Sequence, residues 1–388
     1  MEGSKVFSFQ VPTAVFWGSG ASLEIGEKAR AVGARRILLV TDQGVAKTGA
    51  PERLAGILTS EGMDVQIFAG VSANPDVQVI DRAVRQAKEE SCDALVAIGG
   101  GSSIDVAKAV GLMLANGGDS IEEYVLGKPI AKRNPPLIAL PTTCGTGSEV
   151  TTSAVVSDKK RRKKVSLRQG TLLCASMAIV DPELMTSLPP HVVATTGADA
   201  LSHAMEAYLS HAGSPMTDAG ALYAIELIAA NLRPAAANPA DLHAIGLMGI
   251  ASTIAGFAFG QASTTLVHCM SHAVGAHFDV PHGLANAVLL PHVMEYNLPS
   301  NLPRFARLAR ALGGRVDGLS DLEAADLGVN LLRRLLADLG IPRHLRELGV
   351  SPEAIPAMAG DAAAEKRIKN NPRQVTEKEI VALFERAM

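Results

Sequence analysis

Short apolar runs recur through the first half of the chain: RRILLVTD (35–42), VQIFAG (65–70), DALVAIGGG (93–101), PLIALPTT (136–143) and MAIVDPE (177–183). Each is rich in aliphatic or β-branched residues and is punctuated by Gly, Pro or Asp, the pattern of a strand buried on both faces. Between them, residues 44–60, 75–90 and 103–116 carry apolar positions at helical spacing. Strand alternating with helix predicts a parallel sheet covered by helices on both sides.

The texture changes after Asp181-Pro182. From His191 to Met388 the chain is Ala- and Leu-rich with helical periodicity and turn signals such as HAGSP, RPAAANP and LGIPRH, but no strand alternation. The expected architecture is an α/β domain with a parallel sheet over residues 1–184, then an all-helical domain over residues 185–388. The charge run KKRRKK (159–164) reads as the solvated turn of a β-hairpin. No Lys, Arg, Asp or Glu falls between Asp241 and Asp279, which is long enough for a membrane span. The run is broken by His, Ser, Thr, Gln and Gly and has no flanking basic cluster, so helices buried in a soluble domain fit it better.

Composition narrows the classes. A chain of 388 residues with 47% hydrophobic content and a formal charge of -3 can bury large cores. It lacks the basic excess of a nucleic-acid binder, and 4% aromatics offers few platforms for bases. No basic stretch followed by an apolar core opens the chain, so no signal peptide is read. Cys92, Cys144, Cys174 and Cys269 stand far apart without CxxC pairing, against a disulfide framework or a thiolate zinc site. The expected compartment is the cytoplasm.

In AIGGGSSIDVAK, Gly99, Gly100 and Gly101 sit where a strand ends and a helix begins, so backbone N–H groups there can approach a phosphate at the positive end of a helix. The stretch is not the GxGxxG fingerprint and reads equally as a tight strand–helix turn. PTTCGTGSE (141–149) follows another strand with Thr142, Thr143, Thr146 and Ser148, hydroxyls suited to phosphate, ribose or amide. Asp42 ends a strand, either as a helix cap or as a carboxylate that accepts from an adenosine ribose and repels a 2'-phosphate, favouring NAD over NADP.

DALSHAMEAY places Asp199 and His203 at i and i+4 on one helix face. LVHCMSHAVGAHFDVPHG adds His268 and His272 at the same spacing, then His277 and His282. Each residue alone has a bland reading as a core or surface side chain. A carboxylate in an apolar helix, however, needs a partner. One carboxylate with up to three imidazoles suits Fe(II), Zn(II), Mn(II), Co(II) or Ni(II), not Mg or Ca.

GGGSSIDVAK, PTTCGTGSE, IVDPEL, TGADALSHAMEAY and LVHCMSHAVGAHFDVPHGLANAVLLPHVMEYN, in this order, resemble the iron-containing (group III) alcohol dehydrogenase family over roughly residues 7–383. The resemblance implies a dinucleotide-binding α/β domain and a helical domain with a cleft between them, the architecture shared with dehydroquinate synthases. It implies metal ligands at Asp199, His203, His268 and His282, and a further active-site histidine at His272. It implies cofactor contacts at Asp42, Asn74, Gly99, Gly100, Gly101, Ser102, Asp105, Thr142, Thr143, Thr146 and Lys164, the last within the basic run. Cys144 stands where Ala is usual, and His277 where an aromatic or apolar residue is usual.

The function so implied is reversible hydride transfer between NAD(H) and a primary alcohol or diol and its aldehyde, with Fe(II) favoured as the metal and His272 as proton shuttle. Phe257, Phe259 and His277 are candidate pocket residues. The expected partner is a small-molecule alcohol or aldehyde, with no nucleic acid and no membrane, in a homodimer or higher homo-oligomer. Rival readings are a glycerol dehydrogenase-like or hydroxyacid-type dehydrogenase, a dehydroquinate synthase-like lyase, a metal-free maleylacetate reductase-like enzyme and an inactive nucleotide-binding sensor.

Overall fold

The computed structural model describes residues 8–161 and 163–388. Among the described residues eight strands lie in the first half: β1 (Ala14–Trp17), β2 (Arg36–Asp42), β3 (Asp64–Val71), β4 (Ala94–Gly99), β5 (Leu137–Pro141), β6 (Ser153–Asp158), β7 (Lys163–Arg168) and β8 (Met177–Val180). Six form one sheet in the order β1-β8-β5-β4-β2-β3, every pair parallel. The five predicted apolar runs supply all of it except β1.

Alternation of side chains explains why those runs are apolar throughout. Leu38, Val40, Leu95, Ala97, Leu137 and Ala139 face one way, onto Ile104, Val110 and Met113 of the helix Gly101–Asn116. Ile37, Leu39, Val96, Ile98, Ile138 and Leu140 face the other, onto Ile25, Leu54 and Leu58. The predicted helix over 44–60 is two, Gln43–Ala46 and Ala50–Ser60. Gly49 between them has φ 74°, a left-handed conformation that ends one helix before Pro51 opens the next.

β6 and β7 form a separate antiparallel hairpin, Ser157 opposite Lys164. Of the basic run, residues 159–161 form its turn, Lys163 and Lys164 already belong to β7, and Arg162 lies outside the described residues. Ser157 also bridges Asp76, and its N–H donates to the Pro75 carbonyl at 2.9 Å, tying the hairpin to the segment after β3.

Among the described residues no strand follows Val180, and long helices follow: Pro190–Leu209, Pro215–Ala237, Leu242–Ala262, Leu266–Phe278 and His282–Asn297, with further helices to Ala387. The chain divides into two compact units. One comprises Pro12–Val193 with Pro234–Thr253; the other comprises Ala194–Arg233 and Ile254–Met388 with residues 8–11. Pro234–Thr253 belongs with the sheet, and its Thr253 hydroxyl donates at 2.8 Å to Glu149, a buried carboxylate of PTTCGTGSE. The helix Leu242–Ala262 is long and apolar enough to cross a membrane, yet most of its apolar window is buried within the protein.

Candidate metal centre and dinucleotide site

The helix Pro190–Leu209 presents Asp199, His203 and Glu206 from one buried face, at i, i+4 and i+7. The helix Leu266–Phe278 contributes His268, and the helix His282–Asn297 contributes its first residue. Asp279, at φ 52°, closes the former, and Val280 and Pro281 lead directly into the latter. Gly283 lets the two outer segments meet: a Cβ there would lie 2.6 Å from the Thr195 carbonyl oxygen and 3.1 Å from the Asp199 Cβ.

One ligand atom from each of Asp199, His203, His268 and His282 lies within 4.8 Å of the other three. His203 Nδ1 is 4.0 Å from Asp199 Oδ2, and His282 Nε2 is 3.9 Å from Asp199 Oδ1. The centre lies wholly within one unit. His203 stacks on Phe259, with centroids 4.1 Å apart and planes at 15°.

The residues fit a divalent cation. Nδ1 of His268 is hydrogen-bonded to Glu206, so its Nε2 carries the lone pair on the side of the cluster. Burial, then the neighbouring His203, His272 and Arg367, holds the His268 imidazole well below its usual pKa, in the neutral form a metal needs. The Asn286 amide nitrogen lies 2.7 Å from Asp199 Oδ1, 3.3 Å from His268 Nε2 and 3.2 Å from His282 Nε2, while its buried Oδ1 has no hydrogen-bond partner. Three acceptors converge on one amide nitrogen that has two protons to give, and such an acceptor-rich cluster is the setting a cation completes.

Glu206 and Asn286 escaped the sequence reading. Glu206 accepts from the Thr265 N–H at 3.1 Å, the Thr265 hydroxyl at 2.7 Å and the Val267 N–H at 2.8 Å, as well as from His268. Burial pushes its carboxyl up, and these donors hold it back. The available signal was its i+3 spacing from His203.

His272, one turn beyond His268, has its ring centroid 5.3 Å from that of His282 and 6.3 Å from that of His268. Its Nδ1 is 3.1 Å from Glu365 Oε1. His277 pairs instead with Asp361 at 2.8 Å near the surface.

In the other unit, the carboxyl ends of β2, β4 and β5 gather most of the expected cofactor residues. β4 ends at Gly99, Gly100 caps the next helix, and Gly101 begins it. A Cβ on Gly101 would lie 2.8 Å from the Thr146 side chain, and one on Gly100 would lie 3.4 Å from Thr143. The Thr142 N–H donates to the Gly99 carbonyl at 3.0 Å, and Ser102 lies in the helix's first turn. These glycines bring the PTTCGTGSE loop against a half-buried helix N-terminus, where backbone N–H groups can receive a phosphate.

Asp42 caps the helix Gln43–Ala46, accepting from Gly44 N at 2.8 Å and Val45 N at 3.0 Å, and from the Ser103 hydroxyl at 3.4 Å. Asp105 is turned into the fold, accepting from the Ser148 hydroxyl at 2.5 Å and Val155 N at 3.1 Å. Asn74, at φ 52°, follows β3, and Lys164 lies opposite Ser157, so the hairpin bridge brings these two to one neighbourhood. Lys108 was also missed. Its fully buried ammonium donates to the carbonyls of Ser148 (2.6 Å), Thr151 (2.9 Å) and Ser153 (2.9 Å), fixing the loop beside the glycines.

Residues 12–182 match the model of the iron-containing alcohol dehydrogenases, and residues 193–388 match that of the C-terminal part of the Fe-containing alcohol dehydrogenase family. The chain belongs to the iron-containing alcohol dehydrogenase family. It is 41% identical over 385 residues to a 1,3-propanediol dehydrogenase of Citrobacter freundii, covering 99% of each chain. It is 40% identical to an NAD-dependent methanol dehydrogenase of Bacillus methanolicus, covering 98% of this chain and 100% of that one. A crystal structure of a 1,3-propanediol oxidoreductase superposes with a TM-score of 0.96 at 40% identity, covering 99% of this chain and 100% of the other. An iron-type alcohol dehydrogenase is an NAD-linked alcohol/aldehyde oxidoreductase, which leaves the sensor, lyase and metal-free readings without support.

Proposed function

We propose that this enzyme interconverts a small primary alcohol or diol and its aldehyde with NAD(H), using one divalent ion, Fe(II) for preference, held by Asp199, His203, His268 and His282. The observation that carries the reading is the gathering of these four ligand atoms within 4.8 Å in a largely buried cluster. Bound NAD supplies the hydride acceptor, and the ion supplies Lewis acidity that lowers the pKa of the alcohol.

The side chains do the rest. Asp199 balances part of the cation's charge, and Glu206 fixes the tautomer of His268. His272, beside the cluster, accepts the hydroxyl proton of the alcohol and returns it in the reverse direction. In this reading residues 1–184 bind the dinucleotide and residues 185–388 bind metal and substrate. Gly99, Gly100, Gly101 and Ser102 receive the pyrophosphate. Thr142, Thr143 and Thr146 contact the nicotinamide side, with Asn74, Asp105 and Lys164 nearby, and Asp42 receives the adenosine ribose.

Propanediol and methanol in the names of the relatives support a short substrate. The four free thiols, three of them buried, support a reducing cytoplasm, and light scattering tests the homo-oligomer. The deciding experiment is a panel of short aldehydes with NADH, run on protein whose metal has been assayed by elemental analysis. We expect turnover proportional to bound metal and best with a C3 aldehyde; full turnover without metal sinks the reading.

A further inference from the structure

The structure assigns Glu365 as a positioning residue for proton transfer: its carboxylate holds the Nδ1–H of His272, so that Nε2 is the nitrogen that exchanges the substrate proton. This rests on His272 as the relay, as proposed above. The residue comes from a distant segment, the C-terminal stretch that also carries Arg367.

Three contacts in series hold it. Glu365 Oε1 lies 3.1 Å from His272 Nδ1, and Glu365 Oε2 lies 3.4 Å from Arg367 Nε. Arg367 donates at 3.1 Å to the hydroxyl of Thr264, which lies just before the helix that bears His272. The carboxylate is therefore fixed from both ends, by the ring it orients and by a guanidinium anchored to the entry of the same helix.

The neighbouring pair on that helix sharpens the point. His277 and Asp361 also meet at 2.8 Å, but their side chains are 29% and 53% exposed, against 15% and 27% for His272 and Glu365. Exposed pairs of this kind contribute little. The inner pair, beside the rings of His268 and His282, can set chemistry.

An imidazole that exchanges a proton must present one nitrogen and keep the other occupied, and a carboxylate at Nδ1 does both. In alcohol oxidation the substrate O–H bond breaks and its proton bonds to Nε2. The C–H electron pair leaves as hydride to the nicotinamide ring. The Nδ1–H stays donated to Glu365, whose negative charge stabilises the imidazolium until Nε2 releases its proton to water. Reduction runs the same transfers backwards.

The test uses zinc-loaded holoenzyme labelled with ¹⁵N-histidine, in wild type, E365Q, E365A and H272Q, with bound metal assayed in each. In the wild type we expect His272 to carry its proton on Nδ1. In E365A we expect a shift towards the Nε2–H tautomer and a fall in kcat of about tenfold to a hundredfold, with the alcohol KM and metal content within twofold. E365Q keeps an acceptor without the charge, so the tautomer should persist while kcat falls by a smaller factor. Should E365A not fold, the wild-type tautomer and E365Q decide. An Nε2–H tautomer in the wild type, or unchanged kcat in both Glu365 variants, overturns the assignment. Loss of kcat in H272Q but not in the Glu365 variants leaves the relay standing and removes Glu365 from it; unchanged kcat in H272Q removes both.

Discussion

The metal cluster and the glycine turn are built on opposite principles. At the cluster, the chemistry resides in side chains that are costly to bury: Asp199 and Glu206 lie 3% and 0% exposed among imidazoles, each with hydrogen-bond partners. At the glycine turn, the proposed cofactor contacts are backbone N–H groups, and the side chains pack against the backbone, as Thr146 does against Gly101. The first site is sensitive to which atoms are present, the second to how much room they leave. Substitutions should therefore fail in different observables.

The largest effect should come from removing a ligand. Asp199→Ala leaves a cation facing imidazoles alone, and bound metal should drop to background while circular dichroism stays native. Loss of Lewis acidity worth several kcal/mol corresponds to a fall in turnover of about a thousandfold or more. Glu206→Gln keeps shape but removes the charge behind His268 and turns one of two accepting oxygens into a donor, so metal affinity measured by chelator competition should weaken about tenfold to a hundredfold. Equal metal content in both variants and the wild type would dissolve the distinction between the two sites.

Much of this was legible in the chain, and the gaps have physical causes. The strands β2, β4 and β5 were readable because both faces are buried, which forces continuous apolar runs. β1 was not: it is a four-residue edge strand, half-exposed, with no period to detect. Asp199 and His203 were readable because a carboxylate in an apolar helix needs explaining. Glu206 had the same anomaly, but Thr265 and Val267, which satisfy it, lie far along the chain, as Glu365 does from His272. The lack of charge between Asp241 and Asp279 likewise points to buried helices, not to the residues up to Thr253 packing with the sheet.

A matched pair of alanines separates backbone from side chain. In Gly283→Ala the new Cβ meets the Thr195 carbonyl, which cannot turn away, so the helix start moves and carries His282 with it. Stability should fall by about 1–3 kcal/mol, with weaker metal binding and an unchanged KM for NAD. In Gly101→Ala the Cβ meets the Thr146 side chain beside the helix N-terminus. There the KM for NAD should rise about tenfold, the equivalent of about 1.4 kcal/mol, with metal content unchanged. Thermal melts, elemental analysis and initial rates on both variants check the pair, and a crossed result reverses the assignment of the two sites.

The smallest effect tests whether any side chain at the glycine turn reads the cofactor chemically. Asp42 already has work as a helix cap, with both of its short backbone hydrogen bonds spent on Gly44 and Val45. Glycine is tolerated at such a cap, so Asp42→Gly should lower stability by only a few tenths of a kcal/mol. That makes the cofactor ratio a clean readout. If the carboxylate also excludes a 2'-phosphate by charge, removing it should raise the kcat/KM ratio of NADP to NAD by about tenfold or more, an effect that shrinks as salt screens it. If the ratio does not move, Asp42 is a cap alone, and discrimination at this turn belongs to backbone shape, as everything else there does.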